Sequence, residues 1–234
     1  MTSMADWPVV PAPADSGSGE RLFFDDHEWD TIEAACARII PTDHDPGARE
    51  AGAVRFIDRY LSGIDFVYAA ADGSGFLQMS GKLADAWRAR VSDLGRVYRQ
   101  GVRDLDAIAR ERFGADFVAL GESDQDAVLV QLSGRPKPAP VALVDDGGKP
   151  TIQVYAFDDD LTFFDALVAH TRQGFYGDPV YGGNRDRIGW TVIGFPGPES
   201  LKDTMDGTYS VREYYVQDYD WHDLIPHLGQ SGTP

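Results

Sequence analysis

The sequence predicts a mainly α-helical protein, one irregular helical domain with long Gly/Pro/aromatic loops and one small β-hairpin. Three observations carry this reading. Apolar residues recur three or four apart over several segments, helix start and stop residues flank those segments, and strand-like texture is confined to one short stretch. With 234 residues, 43% of them hydrophobic, the chain can bury one domain-sized core with extensions.

Residues 1–20 are rich in Pro, Ala, Ser and Gly and read as a flexible N-terminal arm. The helical domain is expected over 21–200. Asp25 with Glu28 three positions later resembles a capping box, Phe24 is placed to staple the entry, and Trp29, Ile32, Cys36 and Ile39 repeat at helical spacing before Pro41 ends the helix. After the turn TDHDPGARE, Val54, Ile57 and Leu61 share one side of a shorter helix stopped by Ser62-Gly63. From Lys82 to Phe113, Leu83, Trp87, Val91, Leu94, Tyr98, Leu105 and Ile108 give the longest helical seam, with Gly95 and Gly101 as places to bend and Gly114 as terminator. Ser123 opens a further helix through Val128, Leu129 and Leu132 that stops at Gly134. Between 135 and 159 the texture changes, and VALV and TIQVYAF around DDGGKP predict a hairpin insertion over 139–157. LTFFDALVAHTRQG returns to helix with Asp160 as candidate cap, and residues 201–234 form an acidic, aromatic C-terminal extension.

The chemistry is defined mostly by exclusion. Thirty-eight acidic against 21 basic residues leave a net charge of −17, which argues against nucleic acid and against anionic lipid as partners. No apolar run reaches the length of a membrane span, so direct membrane insertion is not expected. The single cysteine, Cys36, rules out an internal disulfide and is expected to be a buried, inert thiol. None of the five histidines has metal-site spacing, and Pro46 and Gly47 break the ligand pattern that Asp43, Asp45 and Glu50 would need for a calcium loop, so TDHDPGARE reads as a turn. There is no nucleophile elbow, Walker loop or dinucleotide fingerprint. No metal or cofactor site is therefore expected in this chain. His170, on the helix before the loop described next, is the one candidate base, against the plainer reading of a histidine capping exposed helix carbonyls.

Residues 174–198, GFYGDPVYGGNRDRIGWTVIGFPGP, hold seven glycines, three prolines and five aromatics. Asp178-Pro179 favours a turn, and Gly182-Gly183-Asn184 are residue types that tolerate positive backbone angles, so a tightly fixed backbone is expected. Such a frame offers Phe175, Tyr176, Tyr181, Trp190 and Phe195 with little side-chain entropy to lose. Two destinations stay open: a partner's surface, or the protein's own helices, which the rings would roof. In the tail, Tyr214, Tyr215, Tyr219 and Trp221 between acids lack a clean period and suit wrapping along a partner.

Two long stretches, IIPTDHDPGA and GFYGDPVYGGN followed by GW and IGFPG, resemble in content and order the gluconate 2-dehydrogenase subunit 3 family, over about residues 23 to 198. The resemblance implies a small, mostly helical, noncatalytic subunit bound to a large FAD-dependent sugar or sugar-acid dehydrogenase of the glucose-methanol-choline type. The FAD and the catalytic base would reside in that partner, and in many relatives a haem-bearing cytochrome c subunit accepts the electrons. Relatives often carry a twin-arginine leader. The sequence as given shows no Arg-Arg pair and no apolar leader, so a cytoplasmic complex is expected, with co-export to the periplasm alongside a partner as the alternative. The competing functions are a stand-alone carbohydrate-active enzyme using His170 or a carboxylate pair, and a sugar-binding module using the loop's rings.

Overall fold

The capping box at Asp25 is formed: its side chain accepts from the Glu28 N–H and the Glu28 carboxylate accepts from the Asp25 N–H, opening helix α1 (Asp26–Ile39). This computed structural model describes residues 7–11, 21–70, 74–135, 161–195 and 197. Helix α2 (Ala53–Ser62) follows the acidic turn, α3 (Gly81–Phe113) is the long seam, and α4 (Glu122–Ser133), α5 (Phe163–Tyr176) and the short α6 (Ile188–Val192) complete the helices. The mainly helical class is thus confirmed. Helix α4 starts one residue before Ser123, with Gly121 in the cap position. Helix α5 is capped by Thr162, which accepts from the Asp165 N–H, in place of the Asp160 expected, and it runs on through Phe175 and Tyr176.

The core gathers around α2, which packs against α1, α3 and most extensively α5, while α4 closes the far side against α1 and α3. Ile32, Val54, Ile57, Tyr98, Leu105, Phe117, Val128, Leu167 and Phe175 are fully or almost fully removed from water. Burial on this scale is the main stabilising contribution, worth roughly 1.5–3 kcal/mol per large apolar side chain. Helix α3 continues unbroken through Gly95 and Gly101. The two glycines are seats for rings: a Cβ at Gly95 would stand 2.9 Å from the Phe23 ring, and one at Gly101 would overlap Phe163.

Asp58 is the buried acid on the apolar face of α2. Its carboxylate accepts from the backbone N–H groups of Leu22 (2.7 Å), Phe23 (2.9 Å) and Phe24 (2.9 Å), pinning the segment that leads into α1. Arg38, on α1, pairs with Asp126 at 2.9 Å and Glu122 at 2.7 Å and so ties α1 to α4.

Val9–Val10 (β1) pairs with Phe76–Leu77 (β2), antiparallel, with Val9 opposite Leu77, and Ala69 adds an isolated antiparallel bridge to Phe76. Residues 7–11 of the expected arm are therefore anchored, because Gln78 N–H donates to the Pro8 carbonyl and Trp7 packs beside Tyr68 against the cluster of Ile64, Met79 and Ala84. The hairpin expected at 139–157 and the extension at 201–234 lie outside the described residues. Among those described, no helix is long and apolar enough to cross a membrane.

Candidate functional site

The loop after α5 is held by hydrogen bonds that leave its backbone little freedom. Gly177 N–H closes α5 onto Gln173 at 2.8 Å, and Asp178 accepts from Val180 N–H at 2.9 Å, starting a single 3-10 turn at Pro179–Tyr181. Gly182 then takes φ +99°, an angle that favours glycine, and its Cα lies against the Arg59 side chain. Gly183 does not have a positive φ; what requires glycine there is proximity, since a Cβ would overlap the Gly174 carbonyl. Gly189 faces the Phe175 carbonyl in the same way. The sequence reading of positive angles is thus met at Gly182 and Asn184, and Gly183 serves close backbone contact instead.

Asn184 is the keystone. It is fully buried at φ +47°; its backbone N–H donates to Gly174 at 2.6 Å, its amide donates to the Gly177 carbonyl at 2.8 Å, and its amide oxygen accepts from Gly189 N–H at 2.8 Å. One side chain thereby joins the end of α5 to the start of α6. The next residue, Arg185, donates from its backbone to Ala51 and from its guanidinium to the Glu50 carbonyl, each at 2.9 Å. Glu50 in turn closes the TDHDPGARE turn, accepting from Thr42 at 2.6 Å and from Gly47 N–H at 2.9 Å, and the Thr42 hydroxyl is the main reason its carboxyl is held below the usual range. Through Arg185, the loop that follows α5 is therefore joined to the turn of residues 42–51 that precedes α2. Exposed Asp186 and Arg187 also stand at positive φ, +56° and +58°, a costly setting for residues with a Cβ.

The rings divide between two environments. Phe175 (1% exposed) and Trp190 (6%) are buried in their own chain, with Trp190 Nε1 donating to the Tyr176 carbonyl at 2.8 Å and Phe195 set edge-on against the indole at 5.2 Å. These roof α5. Tyr181 is half-buried, its hydroxyl accepting from Ala69 N–H at 3.3 Å and its ring edge-on to Phe76. Beside it a cavity of about 160 Å³, lined by Phe56, Arg59, Tyr60, Phe66, Val67 and Tyr181, opens to the surface. Tyr176 is 41% exposed, and Val180, Val192 and Ile193 are exposed with it, so four of the eight exposed large hydrophobics among the described residues fall between positions 176 and 193. Tyr214, Tyr215 and Trp221 lie outside the described residues.

His170 is neither at the protein surface nor capping exposed carbonyls. It is fully buried, its Nδ1 sharing a 2.8 Å hydrogen bond with Tyr98 Oη, and it packs among the rings of Tyr98, Tyr60 and Phe56. Cys36 is buried as expected, near Thr171, whose hydroxyl donates to its sulfur at 3.2 Å; burial pushes the thiol up to about 12, far from thiolate chemistry. Asp43, His44 and Asp45 bring three ligand-type atoms within 4.8 Å of one another, all exposed. Their hydrogen bonds, such as Asp45 N–H to Asp43 at 3.0 Å, are those of the turn.

Sequence reasoning missed Asp58 and Arg185. Asp58 had a signal, an acid among the apolar positions of Val54, Ile57 and Leu61; Arg185 had none.

Fold and site together define a class: a helical domain presenting a rigid, glycine-framed loop from the joined ends of α2 and α5. The chain belongs to the gluconate 2-dehydrogenase subunit 3 family, whose model matches residues 26–197. A family of dehydrogenase subunits implies other subunits beside this one. Comparison with curated proteins and comparison with solved structures matched nothing.

Proposed function

We propose that this chain is a noncatalytic small subunit that binds and stabilises a large FAD-dependent dehydrogenase of the glucose-methanol-choline type acting on a sugar or sugar acid. The observation that carries this reading is the apolar set Tyr176, Val180, Val192 and Ile193, exposed on a backbone that Asn184 and Arg185 hold fixed. Exposed apolar side chains on a preorganised frame lose little entropy on docking, which is what a lasting interface requires. The cavity beside Tyr181 offers the partner a socket of side-chain size. The burial of His170 supports a noncatalytic role, since the one candidate base stands away from water among rings. FAD and the catalytic base then belong to the partner.

The test is co-expression of this chain with a large FAD-dependent dehydrogenase of the glucose-methanol-choline type from the same source, followed by purification on a tag carried by the small chain alone. The expected result is a yellow complex with a flavin absorption band. Recovery of the tagged chain by itself, colourless and monodisperse, would refute the proposal.

A further inference from the structure

Helix α3 reverses the charge of the chain. It carries eight basic residues against five acidic ones, a net of +3 in a protein of −17. Arg96, Arg99 and Arg103 stand three and four apart, on one face, along the rim of a groove of about 660 Å³. The floor of that groove is apolar: Val97 from α3, with Leu161 and Phe163 from the start of α5, the Phe163 ring lying against Gly101. Arg99 is partly engaged, stacked over Phe23 at 4.4 Å and 3.6 Å from Glu28. Arg96 pairs with Asp93 one turn back, and Arg103 donates to the Gln100 amide oxygen at 2.6 Å; both side chains are solvent-exposed. Among the described residues Asp104 is the one acid that lines the groove itself, Asp93 and Glu28 meeting Arg96 and Arg99 from outside it.

We propose that this groove binds an extended acidic segment of a partner polypeptide, with carboxylates and apolar side chains alternating along it. The dimensions and chemistry fit that occupant. Arg96 to Arg103 spans seven residues of helix, about 10 Å, and three residues of extended chain cover about the same length. In an extended peptide successive side chains point to opposite sides, so carboxylates meet the arginine rim while apolar residues meet Val97, Leu161 and Phe163. Arginine is suited to this work because its planar fork matches a carboxylate. The groove lies at the beginning of α5 and the glycine-framed loop at its end, separated by a 14-residue helix, about 21 Å. The two surfaces are therefore distinct, and the inference stands independently of the reading of the loop.

The experiment uses the full 234-residue chain and a fluorescein-labelled peptide of alternating aspartate and leucine, with a lysine and leucine peptide of the same length as control, read by fluorescence anisotropy. The acidic peptide should bind and the basic one should not. The double variant Arg96→Glu/Arg103→Glu should weaken binding at least tenfold with an unchanged melting temperature, because both side chains are exposed. Affinity of the unaltered protein should also fall as salt is raised from 50 to 300 mM, a readout that does not depend on the variant. No binding at millimolar acidic peptide, equal affinity of the two peptides, or affinity indifferent to salt would each overturn the proposal.

Discussion

Arg185 donates its guanidinium N–H to the carbonyl of Glu50, so the glycine-framed loop is fastened to the turn that precedes α2. Glu50 is at the same time the residue that closes that turn through Thr42 and Gly47. The loop's shape is consequently fixed from both ends, by α5 through Asn184 and by the turn through Arg185. A surface fixed in this way can be tested one contact at a time.

Asn184→Ala should destabilise the fold by about 2–4 kcal/mol, since it leaves the Gly189 N–H and the Gly177 carbonyl without their partners in a buried site and keeps a Cβ at positive φ. Urea unfolding of the two proteins, with equal m-values, is the measurement. A loss under 0.5 kcal/mol, the range typical of surface substitutions, would show that Asn184 is not the keystone.

Asp58→Ala removes the acceptor for three backbone N–H groups, and about 2–4 kcal/mol of stability should go with it. Hydrogen exchange localises the effect. The amides of Leu22, Phe23 and Phe24 should lose protection first, and unchanged protection there would contradict the assignment.

His27 and Asp106 set a pH dependence. The 2.6 Å hydrogen bond to Asp106 is the main cause that raises the His27 pKa above its ordinary 6.5, with Asp106, Asp116 and Asp25 adding attraction and partial burial opposing. Asp106 also accepts from Phe117 N–H and lies 3.7 Å from Arg110. Because the folded pKa lies above the unfolded one, the contribution is complete below pH 6.5 and fades as pH rises through the folded value. The ring is 43% exposed, so solvent screening keeps the effect small. His27→Gln should therefore lower the melting temperature at pH 6 more than at pH 8.5; an equal loss at both would exclude the ion pair.

Gly101→Ala should be destabilising although it sits in a helix, where alanine is intrinsically preferred by up to about 1 kcal/mol. The added Cβ overlaps the Phe163 ring, and overpacking of this kind costs about 1–3 kcal/mol. The companion Gly101→Ala/Phe163→Leu should recover part of that loss. Thermal unfolding of the three proteins distinguishes crowding from propensity.

Local chemistry was legible in the sequence and long-range contact was not. Asp25 and Glu28 are three residues apart, so the box that starts α1 could be read directly, as could the stops at Gly114 and Gly134, both left-handed. Gly95 and Gly101 read as places to bend, because nothing nearby in sequence reveals that Phe23 and Phe163, from distant segments, rest on them. The same limit applies in the loop. Its rigidity followed from residue types, whereas the burial of Phe175 and Trp190, and the exposure of Tyr176 and Ile193, depend on how α5 meets α6. His170 read as a helix-end residue and proved to be core, since its position relative to Tyr98 and Tyr60 is set by the packing of α2 and α3 on α5.

The most direct measurement compares the unaltered chain with Tyr176→Asp/Ile193→Asp in co-purification with the proposed FAD-dependent large subunit, reading the flavin absorption recovered per small chain. Both positions are exposed, and losing the edge-on contact of the Tyr176 ring with Phe175 should cost the variant's own fold only about 1 kcal/mol. Near-complete loss of recovered flavin, from a protein that still unfolds in one cooperative transition, is the expected result. Full flavin recovery with the doubly substituted chain would contradict it.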